Sequence, residues 1–191
     1  MTQGGECVTI KASVTPGCSQ VILGAQAETF MQGMIPSANE RMGPQIMVWE
    51  KSCGAVVFTR MDGKIRYLLV ANPEGTYGFP KGHVEKGETE TETALREVFE
   101  ETNLHVALLA GFRAKDAYPL PTGTMKRIVY FLGEFAGQEV IYQKEELSGF
   151  CFADYAGAKA LLPYAGQKRI LKKAETFLQA MEAMPDSAAK M

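Results

Sequence analysis

Three glutamates in the middle of the chain have the type and spacing of a cation site. Glu97, Glu100 and Glu101 occupy positions i, i+3 and i+4 of a predicted helix, so their carboxylates project from one face. Like charges on one helix face repel each other, and a divalent cation removes that conflict. Mg²⁺ and Mn²⁺ prefer such oxygen ligands, and Mg²⁺ usually keeps waters and a substrate phosphate in its shell. The spacing therefore indicates a site for a divalent cation.

The same helix surface has an alternative interpretation. Acidic helix faces are often only solvated, particularly where Lys or Arg follows four residues later. Lys and Arg are nearly absent from this face, and Arg96 lies beside it, within reach of Glu100 or of Glu88 at the helix start. A metal site is therefore favoured over a solvated face. We expect the opposite face to pack on the core through Leu95, Val98, Phe99 and Thr102.

The stretch from 82 to 104 resembles the Nudix box. That motif consists of Gly, five residues, Glu, seven residues, Arg-Glu, an aliphatic residue, any residue, Glu-Glu, any residue, Gly and an aliphatic residue. Its counterparts here are Gly82, Glu88, Arg96, Glu97, Val98, Glu100, Glu101, Asn103 and Leu104. Asn103 replaces the last Gly, and Asn tolerates the left-handed conformation at a helix end. The departure therefore concerns the helix cap and not the acidic residues.

The resemblance implies a role for each polar residue of the box. Glu88 and Arg96 would form an ion pair that fixes the loop against the helix. The implied metal ligands are the backbone carbonyl of Gly82 and the carboxylates of Glu97, Glu100 and Glu101.

Nudix enzymes also tend to supply a further acid from a late loop beside the metal. The matching segment here is 144–147, and Glu146 has the better position in it. Nudix enzymes differ in which acid accepts the proton of the attacking water. Glu97, Glu100 and Glu146 are therefore all candidates for the catalytic base.

Residues before the box narrow the resemblance. The segment 79–85, FPKGHVE, is similar to the Pro-Lys-Gly-His-x-Glu signature of asymmetric dinucleoside tetraphosphate hydrolases, whereas MutT-like enzymes usually have Gly where Lys81 stands. The resemblance covers about residues 50 to 180. Polar residues expected to contact the substrate are Lys81, His83, Lys126 and Arg127. Aromatic residues that could stack on adenine are Tyr130, Tyr77 and Phe79, with a place in the core as the alternative for each.

The elements that position these residues alternate between strand and helix patterns. Strands are predicted over 53–59, 65–72, 77–79, 106–115, 127–135 and 149–153, with a hairpin turn at 61–63. Helices are predicted over 89–102, 155–161 and 167–183. This order indicates an α/β protein in which a mixed β-sheet is sandwiched between helices (α/β/α), which the resemblance identifies as the Nudix fold.

The ends of the chain differ from this middle region. Residues 1–46 contain few charged residues and no sustained hydrophobic period, so we expect a poorly ordered N-terminal extension. The Nudix hydrolase domain is expected over 47–183, and a C-terminal tail over 184–191.

The composition of the chain argues against several kinds of binding partner. The formal net charge of −2 and the absence of a basic block argue against binding of long nucleic acid. The scattered cysteines suggest neither a disulfide framework nor a zinc site, and no apolar run is long enough for a membrane span. We therefore expect a cytoplasmic protein that does not associate with membranes, and nothing in the composition demands more than a monomer.

The resemblance, together with the acidic helix face, implies a hydrolase that uses Mg²⁺ or Mn²⁺ to cleave a phosphoanhydride in a nucleoside diphosphate-linked compound. The resemblance implies a dinucleoside polyphosphate, with diadenosine tetraphosphate split to ATP and AMP. One alternative is a pyrophosphohydrolase that acts on RNA 5′ ends or on damaged nucleoside triphosphates. Another is a catalytically silent nucleotide sensor, although a silent domain would be expected to have lost part of the Arg-Glu-x-x-Glu-Glu set.

Overall fold

The computed structural model describes residues 48–183. The extension predicted over 1–46 and the tail predicted over 184–191 lie outside the described residues. Among those described, the strands are β1 Trp49–Met61, β2 Lys64–Ala71, β3 Tyr77–Gly78, β4 Lys81–His83, β5 Ala107–Leu108, β6 Ala114–Pro119, β7 Met125–Glu134 and β8 Gly149–Ala153. The helices are α1 Glu90–Thr102, α2 Tyr155–Leu161 and α3 Ala165–Ala183.

The predicted hairpin between the first two long strands is confirmed. Met61 pairs with Lys64 at the end of an antiparallel ladder. The two residues between them, Asp62 and Gly63, both have positive φ, at 50° and 71°. A two-residue loop of this kind follows the right-handed twist of its strands, which favours Asp-Gly at these positions.

Strand β1 is the centre of the mixed sheet. It pairs antiparallel with β2 and parallel with β7, where Cys53 lies opposite Val129. Its first half also pairs antiparallel with β4. A Cβ on Gly54 would overlap the backbone at Pro80 and Lys81, so glycine allows this close approach. The short strand β4, which leads into the loop before α1, is thereby fixed on the sheet.

Alternating residues of β1 serve two cores on opposite faces of the sheet. Ala55 and Val57 pack in a cluster with Val98 of α1, whereas Val56 and Phe58 pack in a larger cluster with residues of α3. Burial of a side chain such as Phe58 contributes about 1.5–3 kcal/mol relative to its exposure. This arrangement is the predicted α/β/α sandwich.

Two local predictions were wrong. The single strand expected over 106–115 is divided into β5 and β6, because the chain turns at Gly111, whose φ is 86°. On α1, Leu95 and Phe99 are exposed, although Val98 and Thr102 are buried as expected. The small residues Thr93 and Ala94 face the sheet instead, which turns the helix so that Glu101 also lies on the buried side.

None of the helices within 48–183 combines the length and the hydropathy needed to cross a membrane.

Candidate functional site

Local hydrogen bonds fix both ends of α1. The Thr89 side chain accepts from the backbone N–H of Glu92, and the Glu92 carboxylate accepts from the N–H of Thr89, which is a capping box. At the other end, Asn103 has φ 57° and donates its backbone N–H to the carbonyl of Phe99 at 2.7 Å. Asn therefore serves as the left-handed cap that the sequence predicts in place of Gly.

An ion pair joins the loop before α1 to the helix. The Nε of Arg96 lies 2.6 Å from one carboxylate oxygen of Glu88, and its Nη2 lies 3.0 Å from the other. The Thr93 hydroxyl and the backbone N–H of Glu85 also donate to Glu88. Hydrogen bonds from Arg96 and then Thr93 lower the pKa of Glu88 to about 2. The loop that joins β4, with its Gly82 carbonyl, to α1 is therefore tied to the helix that carries the acids.

The same guanidinium holds two of the three acids. Nη1 of Arg96 donates to Glu97 and to Glu100, both at 2.8 Å, and Nη2 also donates to the backbone carbonyl of His83 at 2.9 Å. Arg96 thus neutralises part of the negative charge that the spacing of the glutamates creates.

A cavity of about 370 Å³, which we call the acidic cavity, lies where α1, β4 and the late loop meet. Its walls are Lys81, Gly82, His83, Glu85, Arg96, Glu97, Glu100, Glu101, Lys126 and Glu146. The structure therefore brings together the four implied metal ligands, the late-loop acid, and three of the residues expected to contact the substrate. Their roles in binding and catalysis stay predictions.

Glu101 is the most unusual acid of this cavity. It is only 7% exposed, its Oε1 accepts the backbone N–H of Lys81 at 3.3 Å, and its Oε2 has no hydrogen-bond partner among the described residues. Burial raises the pKa of Glu101 to about 7, although the Lys81 N–H acts in the opposite direction. Burial also raises the pKa of the neighbouring Glu97, against the effect of Arg96. A buried carboxylate oxygen without a donor suits a cation.

The residues of the acidic cavity fit a divalent cation in their chemistry. They offer several carboxylates, an unpartnered oxygen on Glu101, and a close approach at Gly82, where a Cβ would overlap the carboxylate of Glu97. Within residues 48–183, no three His, Cys, Asp or Glu side chains are already gathered as a cation cluster. Glu97 and Glu100 are instead hydrogen-bonded to Arg96, which is consistent with carboxylates that have not gathered around a cation.

Backbone hydrogen bonds place Glu146 on the cavity wall. The N–H groups of Ile141 and Gln143 donate to the carbonyls of Thr102 and Glu101, at 3.0 and 3.2 Å. The loop then turns, with the N–H of Leu147 bonded to the carbonyl of Gln143 at 2.9 Å. The late loop is thus anchored on the end of α1, which explains how an acid distant in sequence reaches the others.

Two lysines bring positive charge to the same cavity. Lys81 and Lys126 both line it, and burial together with the charge of Lys81 lowers the pKa of Lys126. His83 lies at its exposed edge, with Nε2 3.4 Å from the Glu50 carboxylate. Arg127 lies elsewhere: its guanidinium is 4.5 Å from the centre of the Trp49 ring, and it lines neither cavity described here. Lys126 and Arg127 are adjacent on β7, so they point to opposite faces of the sheet.

A second cavity of about 500 Å³, which we call the aromatic cavity, shares Lys81 and Glu101 with the first. Tyr77, Phe79 and Tyr130, the aromatic residues considered for stacking, all line it. Stacking by Tyr130 is contradicted, however, because Tyr130 is 1% exposed and its ring meets Phe79 edge-on at 5.6 Å. Phe79 is buried as well, so both rings belong to the core.

Sequence reasoning missed two exposed tyrosines of the aromatic cavity. Tyr118 is 38% exposed and Tyr164 is 62% exposed, and both line this cavity. Tyr118 precedes Pro119, the last residue of β6, and Tyr164 lies between Pro163 and α3. An aromatic residue next to proline at or just beyond the end of an element was the available signal, because function concentrates near the loops that join elements.

A family model of the NUDIX domain matches residues 50–174. The chain belongs to the NUDIX family. Like the family members it resembles, it is a hydrolase. The asymmetrical bis(5′-nucleosyl)-tetraphosphatase of Mus musculus is 31% identical over 140 residues, which is 67% of this chain and 95% of that protein.

Two further similarities support the assignment. A solved structure of a C. elegans Ap4A hydrolase binary complex matches with a TM-score of 0.65 at 27% identity, covering 69% of this Nudix chain and 98% of the other. A Mycobacterium tuberculosis protein described as mutator protein MutT4 is 29% identical over 146 residues, which is 71% of this chain. This chain spans only 58% of that protein's length.

The raised pKa of Glu101 predicts how the stability of the metal-free Nudix domain depends on pH. The folded state disfavours the charged carboxylate, so the free energy of unfolding should fall as the pH rises from about 4.5, the ordinary value, to about 7. The expected loss is about 1.4 kcal/mol per pH unit, or roughly 3 kcal/mol in total. Urea denaturation in EDTA at several pH values, compared between the wild type and Glu101→Gln, isolates this contribution. If the free energy of unfolding depended on pH in the same way in both proteins, the predicted contribution of Glu101 would be contradicted.

Proposed function

We propose that this Nudix hydrolase uses Mg²⁺ or Mn²⁺ to cleave a phosphoanhydride bond of dinucleoside polyphosphates, with diadenosine tetraphosphate converted to ATP and AMP. The observation that carries the proposal is that the acidic cavity and the aromatic cavity are adjacent, since Lys81 and Glu101 line both. A polyphosphate chain in the acidic cavity would have its nucleoside in the aromatic cavity. The names of the mouse and C. elegans relatives agree with this substrate class.

The carboxylates of Glu97, Glu100 and Glu101, with the carbonyl of Gly82, would hold the cation. When bound, a divalent cation neutralises phosphate oxygens and lowers the pKa of a coordinated water. The Nη1 bonds of Arg96 to Glu97 and Glu100 would have to weaken for these acids to take up that role, while its bonds to Glu88 keep the loop in place.

Glu146 is the candidate that we favour as the general base. Glu97 and Glu100 already accept hydrogen bonds from Arg96. The carboxylate of Glu146 forms no ion pair or hydrogen bond with the other described residues, and it lines the same cavity. An acid with open lone pairs beside the cation site can accept the proton of the attacking water.

Lys81 and Lys126 explain how a net-acidic protein could bind a polyanion. Both residues line the acidic cavity, and Lys81 also lines the aromatic cavity. A lysine is a strong point charge for a phosphate oxygen. The exposed rings of Tyr118 and Tyr164 offer apolar surface on which a base can stack at the other end of the substrate.

The proposal is tested by incubating the purified protein with Mg²⁺ or Mn²⁺ and a panel of substrates, with products identified by mass. The panel contains diadenosine tetraphosphate, nucleoside triphosphates including an oxidised one, nucleotide sugars, and RNA with a 5′-triphosphate. We expect ATP and AMP from the dinucleotide, at a higher kcat/KM than for any other compound, and no turnover in EDTA. A preference for a triphosphate or for RNA would replace this substrate class, and no turnover at all would indicate a nucleotide sensor.

A further inference from the structure

Buried polar atoms without partners concentrate on the walls of the aromatic cavity. Within residues 48–183, the buried side-chain atoms without a hydrogen bond are Ser52 Oγ, Glu101 Oε2, Tyr130 OH and Gln167 Oε1. All but Ser52 belong to residues that line this cavity. An unpaired buried polar group costs folding free energy, so such groups are expected where a ligand satisfies them. Glu101 also lines the acidic cavity, where its free oxygen suits a cation. The hydroxyl of Tyr130 and the Oε1 of Gln167 are therefore the unpartnered atoms available to a nucleoside.

Gln167 is well placed to recognise such a ligand. It lies in the first turn of α3, and its Nε2 is 3.1 Å from the position that a Cβ on Gly78 would occupy. The absence of a side chain on Gly78 leaves room for the carboxamide between α3 and β3. The neighbouring polar side chain, Asp116, already accepts a hydrogen bond from Arg169 at 3.1 Å. The Oε1 of Gln167, by contrast, is buried and has no hydrogen-bond partner among the described residues.

We propose that Gln167 determines base specificity by binding the edge of adenine. This inference rests on the proposed function, because it requires the nucleoside of the substrate in the aromatic cavity. The Oε1 of Gln167 accepts a hydrogen bond from the exocyclic amino group, and Nε2 donates to N7, a pairing for which glutamine is suited. Hypoxanthine has an oxo group in place of the amino group, so its O6 and N7 are both acceptors, and neither orientation of the Gln167 carboxamide satisfies both.

The experiment measures the binding of AMP and IMP by calorimetry in the presence of Mg²⁺. Neither nucleotide contains a phosphoanhydride bond, so neither is consumed. The wild type is expected to bind AMP about ten-fold more tightly than IMP. Gln167→Met removes both the acceptor and the donor and should bring the ratio close to one. Gln167→Glu keeps an acceptor that cannot turn into a donor, and it should preserve or increase the preference for AMP.

Ser52→Ala is the matched control, because Ser52 also has a buried atom without a partner but lies outside the cavity. Its affinities should equal those of the wild type, and thermal melting shows whether each variant is folded. Equal affinity for AMP and IMP in the wild type, no binding of either, or an unchanged preference in Gln167→Met would overturn the inference. Hydrolysis of diadenosine tetraphosphate by the wild type is scored separately. A protein that selects AMP through Gln167 but leaves the dinucleotide intact contradicts the proposed function alone.

Discussion

Replacing Glu101 by glutamine is expected to lower kcat by about two orders of magnitude or more while the metal-free protein becomes more stable. Glutamine keeps an oxygen for the N–H of Lys81, but it removes the charge that a divalent cation would neutralise. In the metal-free state that charge is buried and has one oxygen without a partner. At pH 8 its removal should therefore raise the free energy of unfolding, by roughly 1–3 kcal/mol.

The two effects have opposite signs, which separates a functional acid from a structural one. Steady-state kinetics with Mg²⁺ give the first effect, and urea denaturation in EDTA gives the second. Glu145→Gln is the matched control, since Glu145 is exposed beside Glu146 and does not line the acidic cavity. It should leave kcat close to the wild-type value and the free energy of unfolding within about 0.5 kcal/mol of it. Near-normal turnover of Glu101→Gln, or a loss of stability at pH 8, would contradict the role proposed for this residue.

The parts of this site that follow from local spacing could be predicted from the sequence. The helix, its Asn103 cap, the Asp62-Gly63 turn and the pairing of Glu88 with Arg96 depend on residues close in the chain. Backbone geometry alone decides these features, so a spacing rule is sufficient.

The parts that depend on what covers a surface could not be predicted in the same way. Spacing places Glu100 and Glu101 on one face of α1, yet one is half-exposed and the other is buried, because β4 lies over Glu101. Strand alternation fixes the face on which Tyr130 lies, but it does not show that Phe79 and α3 cover that face. Burial is set by tertiary packing, which the sequence pattern does not show. For this reason the sequence suggested base stacking for Tyr130, which is buried, and gave no such role to Tyr118, which is exposed.

Arg96→Ala is expected to have the largest effect on stability, and the size of that effect should depend on the metal. In EDTA the substitution leaves Glu88, Glu97 and Glu100 without their shared partner, and the free energy of unfolding should fall by about 2–4 kcal/mol. With Mg²⁺ present, the cation would neutralise Glu97 and Glu100. The loss should then be smaller, close to the contribution of the Glu88 pair alone.

Urea denaturation of Arg96→Ala, Arg96→Lys and Arg113→Ala, each in EDTA and in Mg²⁺, tests this expectation. Arg113 also forms a two-bond ion pair, with Glu90 at 2.8 Å, but it is more exposed and lies outside the acidic cavity. Its removal should cost no more than about 1 kcal/mol, equally in both conditions. Arg96→Lys keeps the positive charge but lacks the planar set of guanidinium donors. Its free energy of unfolding should therefore lie between those of the wild type and Arg96→Ala. If Mg²⁺ reduces the loss for Arg96→Ala alone, the cation and the guanidinium neutralise the same carboxylates. An equal loss in both conditions would mean that the cation does not bind at Glu97 and Glu100, and the metal assignment would then have to move to other residues.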